Sequence, residues 1–481
     1  MPPAISARRL GSLLHPRSVA LVGATDTSGF SHVVYRNLVD FGFEGRIHLV
    51  NRRRARAHGR DTVASCTEIG EQVDIAFMMV PQANTLEALT DAAAAGIPAV
   101  AVLASGYADA GEAGRKAQED LVAHAESLGL LLLGPNQLGF ASFIHRVAIT
   151  AIPGLPRVRG PVAVLSQSGM AASAMLDFAA MTGIGLSHVV TLGNEAMITA
   201  AHFVDCLAED RHTAALALFL ETIRDPEMFA AAARRAARAG KAVVVLKAGG
   251  SAIAAAAAAA HSGAQAGDDR AIGALFAELG VIRVGSIEDL MLTAGAAAHF
   301  GRLARPGIGV VSLSGGACDM IADHAAQAGA SLPALAPATR AALAEIIPGF
   351  GTVQNPLDVT GGVVSDPGIF TRSIEAVSAD PSVGVVAVVS SLPWQPESGP
   401  WVGQPLADAI GAGARAARVP VVCVPQTIQP VTGWTRQVMT QAGIPYLIPG
   451  LRHAVVALRN VGWWSERTRV PAGRRRSRVS P

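Results

Sequence analysis

Two strand–turn–helix junctions carry the same signature, Ser-x-Ser-Gly. They are Ser166-Gln167-Ser168-Gly169 and Ser312-Leu313-Ser314-Gly315-Gly316. A helix that starts at such a turn leaves its first N–H groups free and points the positive end of its dipole outward, which suits an anion such as phosphate. Ser168, Gly169, Gly315 and Gly316 are therefore candidate phosphate-binding residues. A third strand end is cationic: Leu49-Val50-Asn51 runs into Arg52-Arg53-Arg54. An NAD-binding unit places an acid there to hold the ribose hydroxyls. Three cations instead suit a nucleotide with an extra phosphate, such as the 3′-phosphate of CoA or the 2′-phosphate of NADP. The nearby turn Gly23-Ala24-Thr25 lacks the dinucleotide GxGxxG spacing. Two titratable residues stand out. Glu221 ends an apolar strand at the carboxyl edge, where α/β sheets place ligands. His261 follows an alanine run and opens His261-Ser262-Gly263-Ala264-Gln265-Ala266-Gly267. Taken alone, a helix-capping Glu and a helix-end His account for these two residues.

The elements that must position these groups alternate. In the first part of the chain, strands are expected near 18–22, 45–50, 73–80, 99–104 and 130–133, with helices between them. That order implies βαβ units and a parallel sheet. A linker, Pro153-Gly154-Leu155-Pro156, follows. A second unit opens at Pro161 and a third at Pro306, and each begins with a strand, Ser-x-Ser-Gly and a helix. The expected organisation is three α/β units with parallel sheets, at 8–152, 158–300 and 306–460. An Arg-, Ser- and Pro-rich stretch at 465–481 is expected to be disordered.

Composition narrows the classes. Half of the 481 residues are hydrophobic and 16% are charged, enough apolar material for several cores. A net charge of +2 gives no global field toward nucleic acid. No run of about 18 uncharged apolar residues reads as a membrane span, and Met1–Gly11 lacks the apolar stretch of a secretory signal. The four cysteines are far apart and form no CxxC, which is expected of free thiols in a reducing cytoplasm, with no metal site.

The chain resembles the CoA-binding subunit of succinyl-CoA ligases and ADP-forming acetyl-CoA synthetases. The resemblance runs from about Leu10 to Ala457. It rests on Val22-Gly23-Ala24, Val50-Asn51, Val80-Pro81, Ala104-Ser105-Gly106-Tyr107 and Gly134-Pro135-Asn136, which match the family's CoA-gripping loops. The loop Ala260-His261-Ser262-Gly263-Ala264-Gln265-Ala266-Gly267 resembles the family's Ser-His-Thr-Gly-x-x-Ala-Gly, whose His is phosphorylated. Leu220-Glu221-Thr222-Ile223, Gly193-Asn194-Glu195 and Asn355-Pro356-Leu357-Asp358 also fit the family pattern. Two departures exist. Gln137 stands where the family often has Cys, and Lys247-Ala248-Gly249-Gly250 lacks the Arg of Lys-x-Gly-Arg.

By resemblance, 8–152 is a Rossmann-like CoA-binding domain and 158–300 and 306–460 are two flavodoxin-like parallel-sheet domains; His261 is a phosphoryl carrier, Glu221 orients it, and the two Ser-x-Ser-Gly helix starts cradle the phosphoryl group. CoA would be held by Gly23, Ala24, Thr25, Asn51, Arg52, Val80, Pro81, Ser105, Gly106 and Asn136. The implied enzyme is an acid–thiol ligase that turns a small carboxylic acid, CoA and ATP into acyl-CoA, ADP and phosphate. ATP and Mg²⁺ would enter through a separate ATP-grasp subunit in a cytoplasmic hetero-oligomer. One rival is a non-catalytic CoA- or acyl-CoA-binding protein of the same fold. Another is an NADP-dependent oxidoreductase, which explains the arginines but neither later unit.

Overall fold

The protein is described by a computed structural model covering residues 5–251, 253, 269–347, 351–396 and 403–469. The described chain forms two compact bodies. The first comprises residues up to 180 together with 184–298; the second comprises 181–183 and the residues from 299 on.

The first body holds two sheets. Strands β1 (Ser18–Val22), β2 (Arg46–Val50), β3 (Arg56–Ala57), β4 (Arg60–Asp61), β5 (Ile75–Met78), β6 (Ala99–Val102) and β7 (Leu131–Leu133) come first. Five of them form a parallel sheet in the order β2-β1-β5-β6-β7, while β3 and β4 pair as a small hairpin. All five residues of β1 are buried, as a central parallel strand covered on both faces requires. Helices Gly29–Asp40, Gln82–Ala94 and Gly111–Ser127 make the crossovers. Ser28 caps the first of these by accepting from Ser31 N.

The second sheet is built from β8 (Gly139–Ser142), β9 (Val147–Thr150), β10 (Arg159–Ser166), β11 (Leu186–Thr191), β12 (Ala215–Leu220), β13 (Ala242–Lys247) and β14 (Ile282–Val284). Its order is β14-β13-β12-β10-β11-β8-β9, parallel except for the β8–β9 hairpin. Residues 139–150, expected within the first unit, thus serve as edge strands of the second sheet. The short fully buried runs Gly-Phe-Ala-Ser and Val-Ala-Ile-Thr pair antiparallel with each other, and β8 then pairs with β11. Gly139 permits the tight approach: at φ +100°, a Cβ there would sit 2.1 Å from Ile149 O.

The second body carries a four-stranded parallel sheet of β15 (Gly307–Ser312), β16 (Leu357–Asp358), β17 (Val383–Val389) and β18 (Val421–Val424), ordered β16-β15-β17-β18. Its last helix, Leu451–Arg467, runs past the expected end of order at 465. Trp464 and Ser465 are buried, and the Ser465 hydroxyl donates to Val461 O at 2.6 Å while accepting from Leu303 N at 2.9 Å. The expected tail therefore starts as helix, and residues 470–481 lie outside the described chain.

Candidate active site at the carboxyl edges

At the carboxyl end of β1 the chain turns through Gly23, whose φ is +88°. A Cβ there would lie 2.8 Å from Met79 O, so only glycine fits. Gly23 N and Ala24 N both donate to Val50 O, at 2.9 and 3.2 Å. Asn51 joins the two strand ends: its Nδ2 donates to Ala24 O at 2.7 Å, and its Oδ1 accepts from Arg53 N at 2.9 Å. These loops enclose a cavity of about 310 Å³ lined by Gly23, Asn51, Arg52, Arg53, Val80 and Pro81. Five of the ten expected CoA residues lie there. Ala24 is fully buried and can only shape the turn. Thr25 N donates to Ser31 Oγ at 2.9 Å. Arg52 is engaged by Glu87, Nη1 to Oε2 at 2.6 Å, so an incoming phosphate would compete with that carboxylate. Arg53 has no ion pair among the described residues.

Ser105, Gly106 and Asn136 lie on other loops of the same edge. Gly106, at φ +94°, donates its N–H to Asp109 Oδ2 at 2.9 Å. The Gly134–Pro135 peptide is cis, and Asn136 is left-handed at φ +57°. Against this loop packs Gly193, where a Cβ would sit 2.2 Å from Pro135 O and 2.4 Å from Asn136 O. The next residue, Asn194, ties its own loop to four other segments of the chain. Its N–H donates to Pro135 O at 3.0 Å. Its Nδ2 donates to Asp109 Oδ1 at 2.9 Å and to Gln118 Oε1 at 3.0 Å, and its Oδ1 faces Asn136 Nδ2 at 3.2 Å. Its carbonyl accepts from Arg224 Nη2 at 3.2 Å. Burial alone would raise Asp109, but hydrogen bonds from Asn194 and from the Gly106 and Tyr107 N–H groups hold it below its ordinary value. Gln137 is buried. Its Oε1 accepts from Gly139 N, and its Nε2 has no hydrogen-bond partner.

Gln167, between the two serines of the first signature, makes a second clamp. Its Oε1 accepts from Glu221 N at 2.6 Å and Thr222 N at 2.9 Å. Its Nε2 donates to Thr222 O at 2.9 Å and Glu195 Oε2 at 2.7 Å. Glu195 is buried, with Oε1 on Ala200 N at 2.6 Å. Burial pushes its carboxyl up to about 7, against the pull of the Ala200 and Gln167 hydrogen bonds. Glu221 itself is exposed, and Gln167 fixes its main chain rather than its carboxylate. Ser168 caps its helix, Oγ accepting from Ala171 N at 3.2 Å, and Gly169 begins that helix. In the second body, Ser314 caps by accepting from Ala317 N at 3.4 Å, and Gly315 and Gly316 are exposed at the helix start. His261 lies outside the described residues.

The first sheet thus offers a nucleotide-sized cavity, and the second offers an exposed carboxylate on a clamped strand end beside a capped helix start. Sequence reasoning passed over Gln167, Asn194, Glu195, Asp109, Gln118 and Arg224 as working residues. The Gly193-Asn194-Glu195 pattern was the one signal for them. Among the described residues no group of His, Cys, Asp and Glu is arranged to hold a metal ion, and no helix is long and apolar enough to cross a membrane.

Comparison with known proteins fits this division of labour. Residues 17–142 match the CoA binding domain model, and 159–297 match the succinyl-CoA ligase like flavodoxin domain. The alpha subunit of ADP-forming acetate–CoA ligase I from Pyrococcus furiosus is 31% identical over 387 residues, covering 79% of this chain and 82% of that subunit. This chain belongs to the ADP-forming acyl-CoA ligase family. A trans-feruloyl-CoA synthase of unknown prokaryotic origin is 33% identical over 395 residues, 81% of this ligase-family chain but 56% of the synthase. The ADP-forming acetate–CoA ligase I of Archaeoglobus fulgidus is 32% identical over 378 residues, covering 78% of this chain and 54% of that ligase. The family member described here therefore spans about half the length of those two relatives. The fold agrees with that of acetyl-coenzyme A synthetase 1 from Ca. Korarchaeum cryptofilum, with a TM-score of 0.83, 24% identity, and coverage of 95% of this chain and 97% of that one.

Proposed function

We propose that this chain is the CoA-binding, phosphohistidine-carrying part of an ADP-forming acyl-CoA synthetase. The observation that carries the reading is Asn194, which ties the Gly134-Pro135-Asn136 loop of the CoA-type sheet to the Arg224 loop three residues past Glu221. An acyl transfer to CoA needs those two edges held together. In this reading His261 accepts a phosphoryl group from ATP, and Glu221 orients and stabilises the imidazole. Ser168, Gly169, Gly315 and Gly316 form the phosphoryl cradle, the glycines offering helix-start N–H groups and Ser168, whose N–H is held by Ser166 Oγ, offering its hydroxyl. Gly23, Ala24, Thr25, Asn51, Arg52, Val80, Pro81, Ser105, Gly106 and Asn136 bind or shape the CoA site. ATP and Mg²⁺ act through an ATP-grasp module on a partner chain, in a cytoplasmic hetero-oligomer. Supporting a separate partner, the chain covers most of a relative that is itself named an alpha subunit. The substrate is a small carboxylic acid whose identity the varied relatives, acting on ferulate, acetate and 4-hydroxybutyrate, leave open. The test is labelling of the complex with ATP, Mg²⁺ and the partner. It should give an acid-labile, base-stable phosphate that is absent in His261→Ala. CoA binding without label in the wild type would instead select a non-catalytic CoA-binding protein.

A further inference from the structure

Acyl-phosphate chemistry brings two anions to one point. A carboxylate must approach a phosphoryl group, and the pair must stay together until the CoA thiol arrives. Their repulsion is strong once water is excluded, so a fixed cation is needed. The carboxyl edge of the second sheet offers three candidate cations among the described residues near Glu221. Arg283 is neutralised by Asp269, Nη2 to Oδ1 at 2.6 Å. Lys247 turns its Nζ onto Ala248 O at 2.6 Å. Arg224 differs from Arg283 in having no carboxylate within ion-pairing distance among the described residues, and from Lys247 in that the main-chain carbonyl its Nη2 meets, Asn194 O, belongs to the hub that reaches the Gly134-Pro135-Asn136 loop. Glu195, whose carboxyl feels the Arg224 charge, has its oxygens on Ala200 N and Gln167 Nε2.

We propose that Arg224 is the anion-binding residue of this edge, holding the substrate carboxylate and then the acyl phosphate. The proposal rests on the synthetase reading above and adds a residue to it. The placement follows from the hub. Asn194 is anchored to Pro135, Asp109, Gln118 and Asn136, so the guanidinium it holds is fixed relative to the Gly-Pro-Asn loop. Chain connectivity fixes it three residues from Glu221. One N–H on Asn194 leaves the rest of the guanidinium fork for oxygen ligands, and that fork suits both carboxylate and phosphoryl oxygens.

The step balances without any further reactant. A carboxylate oxygen attacks phosphorus and the P–N bond breaks. The electron pair returns to the ring nitrogen, and the ring keeps its other N–H, leaving neutral imidazole and acyl phosphate. The CoA sulfur then attacks the acyl carbon, the C–O bond to phosphate breaks, and the thiol proton leaves on the phosphate. Arg224 gains and loses no proton in either step.

Two measurements test this. The first uses the chain alone with inorganic phosphate as probe. Phosphate should raise the melting temperature of the wild type by binding the native state. Arg224→Gln should lose most of that rise, the remainder coming from the two helix starts, yet keep both the wild-type melting temperature without phosphate and the rise induced by CoA, and Arg224→Lys should keep more of it. The second uses the complex with its ATP-grasp partner. Arg224→Gln should label from ATP to the wild-type extent, but carboxylate should discharge the label roughly tenfold or more slowly, with a higher half-saturating concentration. The proposal is overturned if phosphate stabilises Arg224→Gln as well as wild type, if it stabilises neither, or if discharge stays within about twofold. A wild type that never labels would sink the synthetase reading alone, because the phosphate measurement still decides Arg224.

Discussion

In both Ser-x-Ser-Gly turns the first hydroxyl donates to the second serine's carbonyl, at 2.6 Å for Ser166 and 3.1 Å for Ser312. Each also takes back the second serine's N–H, at 3.2 and 3.1 Å. Beyond that shared wiring the two regions diverge. The middle residue of the first turn is Gln167, whose amide reaches Glu195, Glu221 and Thr222. In the second it is Leu313, which packs against the core of its own sheet. A Cβ at Gly169 would meet Leu138 at 2.6 Å and one at its counterpart Gly315 would meet Asp358 Oδ2 at 3.1 Å, while one at Gly316 would have nothing within 4 Å. The serines fix where a helix begins; the residue between them decides whether that helix start is locked into a polar network. The first turn is tied into that network, and the second, among the described residues, is not.

The widest separation between the two regions should come from Gly193→Ala. The residue has φ +59°, and a methyl there meets two main-chain oxygens below 2.5 Å. A loss of about 3 kcal/mol or more is expected, while Gly316→Ala should stay within about 0.5 kcal/mol. Denaturant midpoints for the two variants measure this, and equal midpoints would erase the distinction. Next in size, Asn194→Ala should cost about 2–3 kcal/mol, because Asp109, Gln118 and Asn136 lose a partner together. CoA affinity measured by calorimetry should fall with it.

Acidity sharpens the same contrast. The Glu195 carboxyl is raised from 4.5 to about 7, so its neutral form is favoured in the folded state. Its contribution is complete below pH 4.5 and is lost as pH rises through 7, by an amount of order 1–3 kcal/mol. Glu195→Gln should therefore flatten the fall in melting temperature between about pH 4.5 and 7; a slope equal to the wild type's would show that Glu195 is not the titrating group. Smallest are the caps. Ser168→Ala and Ser314→Ala should each cost about 1 kcal/mol. Equal stability losses with unequal losses of label turnover would show that the two turns share a structural role and divide the chemical one.

The parallel units were legible because local signals agree with the fold: a buried run such as Ser18–Val22, then a crossover helix, then another run. The β8–β9 hairpin was not, because its two four-residue strands are buried on both faces and show no alternation. Ser465 looked like tail chemistry, yet its hydroxyl satisfies the helix behind it and Leu303 N across the sequence. At the site, strand-end residues such as Gly23, Asn51 and Glu221 could be picked out by position. The Asn194 hub could not, since its partners at 109, 118, 136 and 224 are scattered along the chain and meet only through topology.

The β8–β9 hairpin carries a consequence for how such proteins can be taken apart. It leaves the last CoA-type loop and becomes the rim of the neighbouring sheet within a few residues. A cut or graft after Thr150 would carry the hairpin away from the β11 strand it pairs with, leaving that strand with a raw edge prone to sticking to other chains. The two sheets of the first body are therefore a single unit of exchange, and a chimera should keep them together.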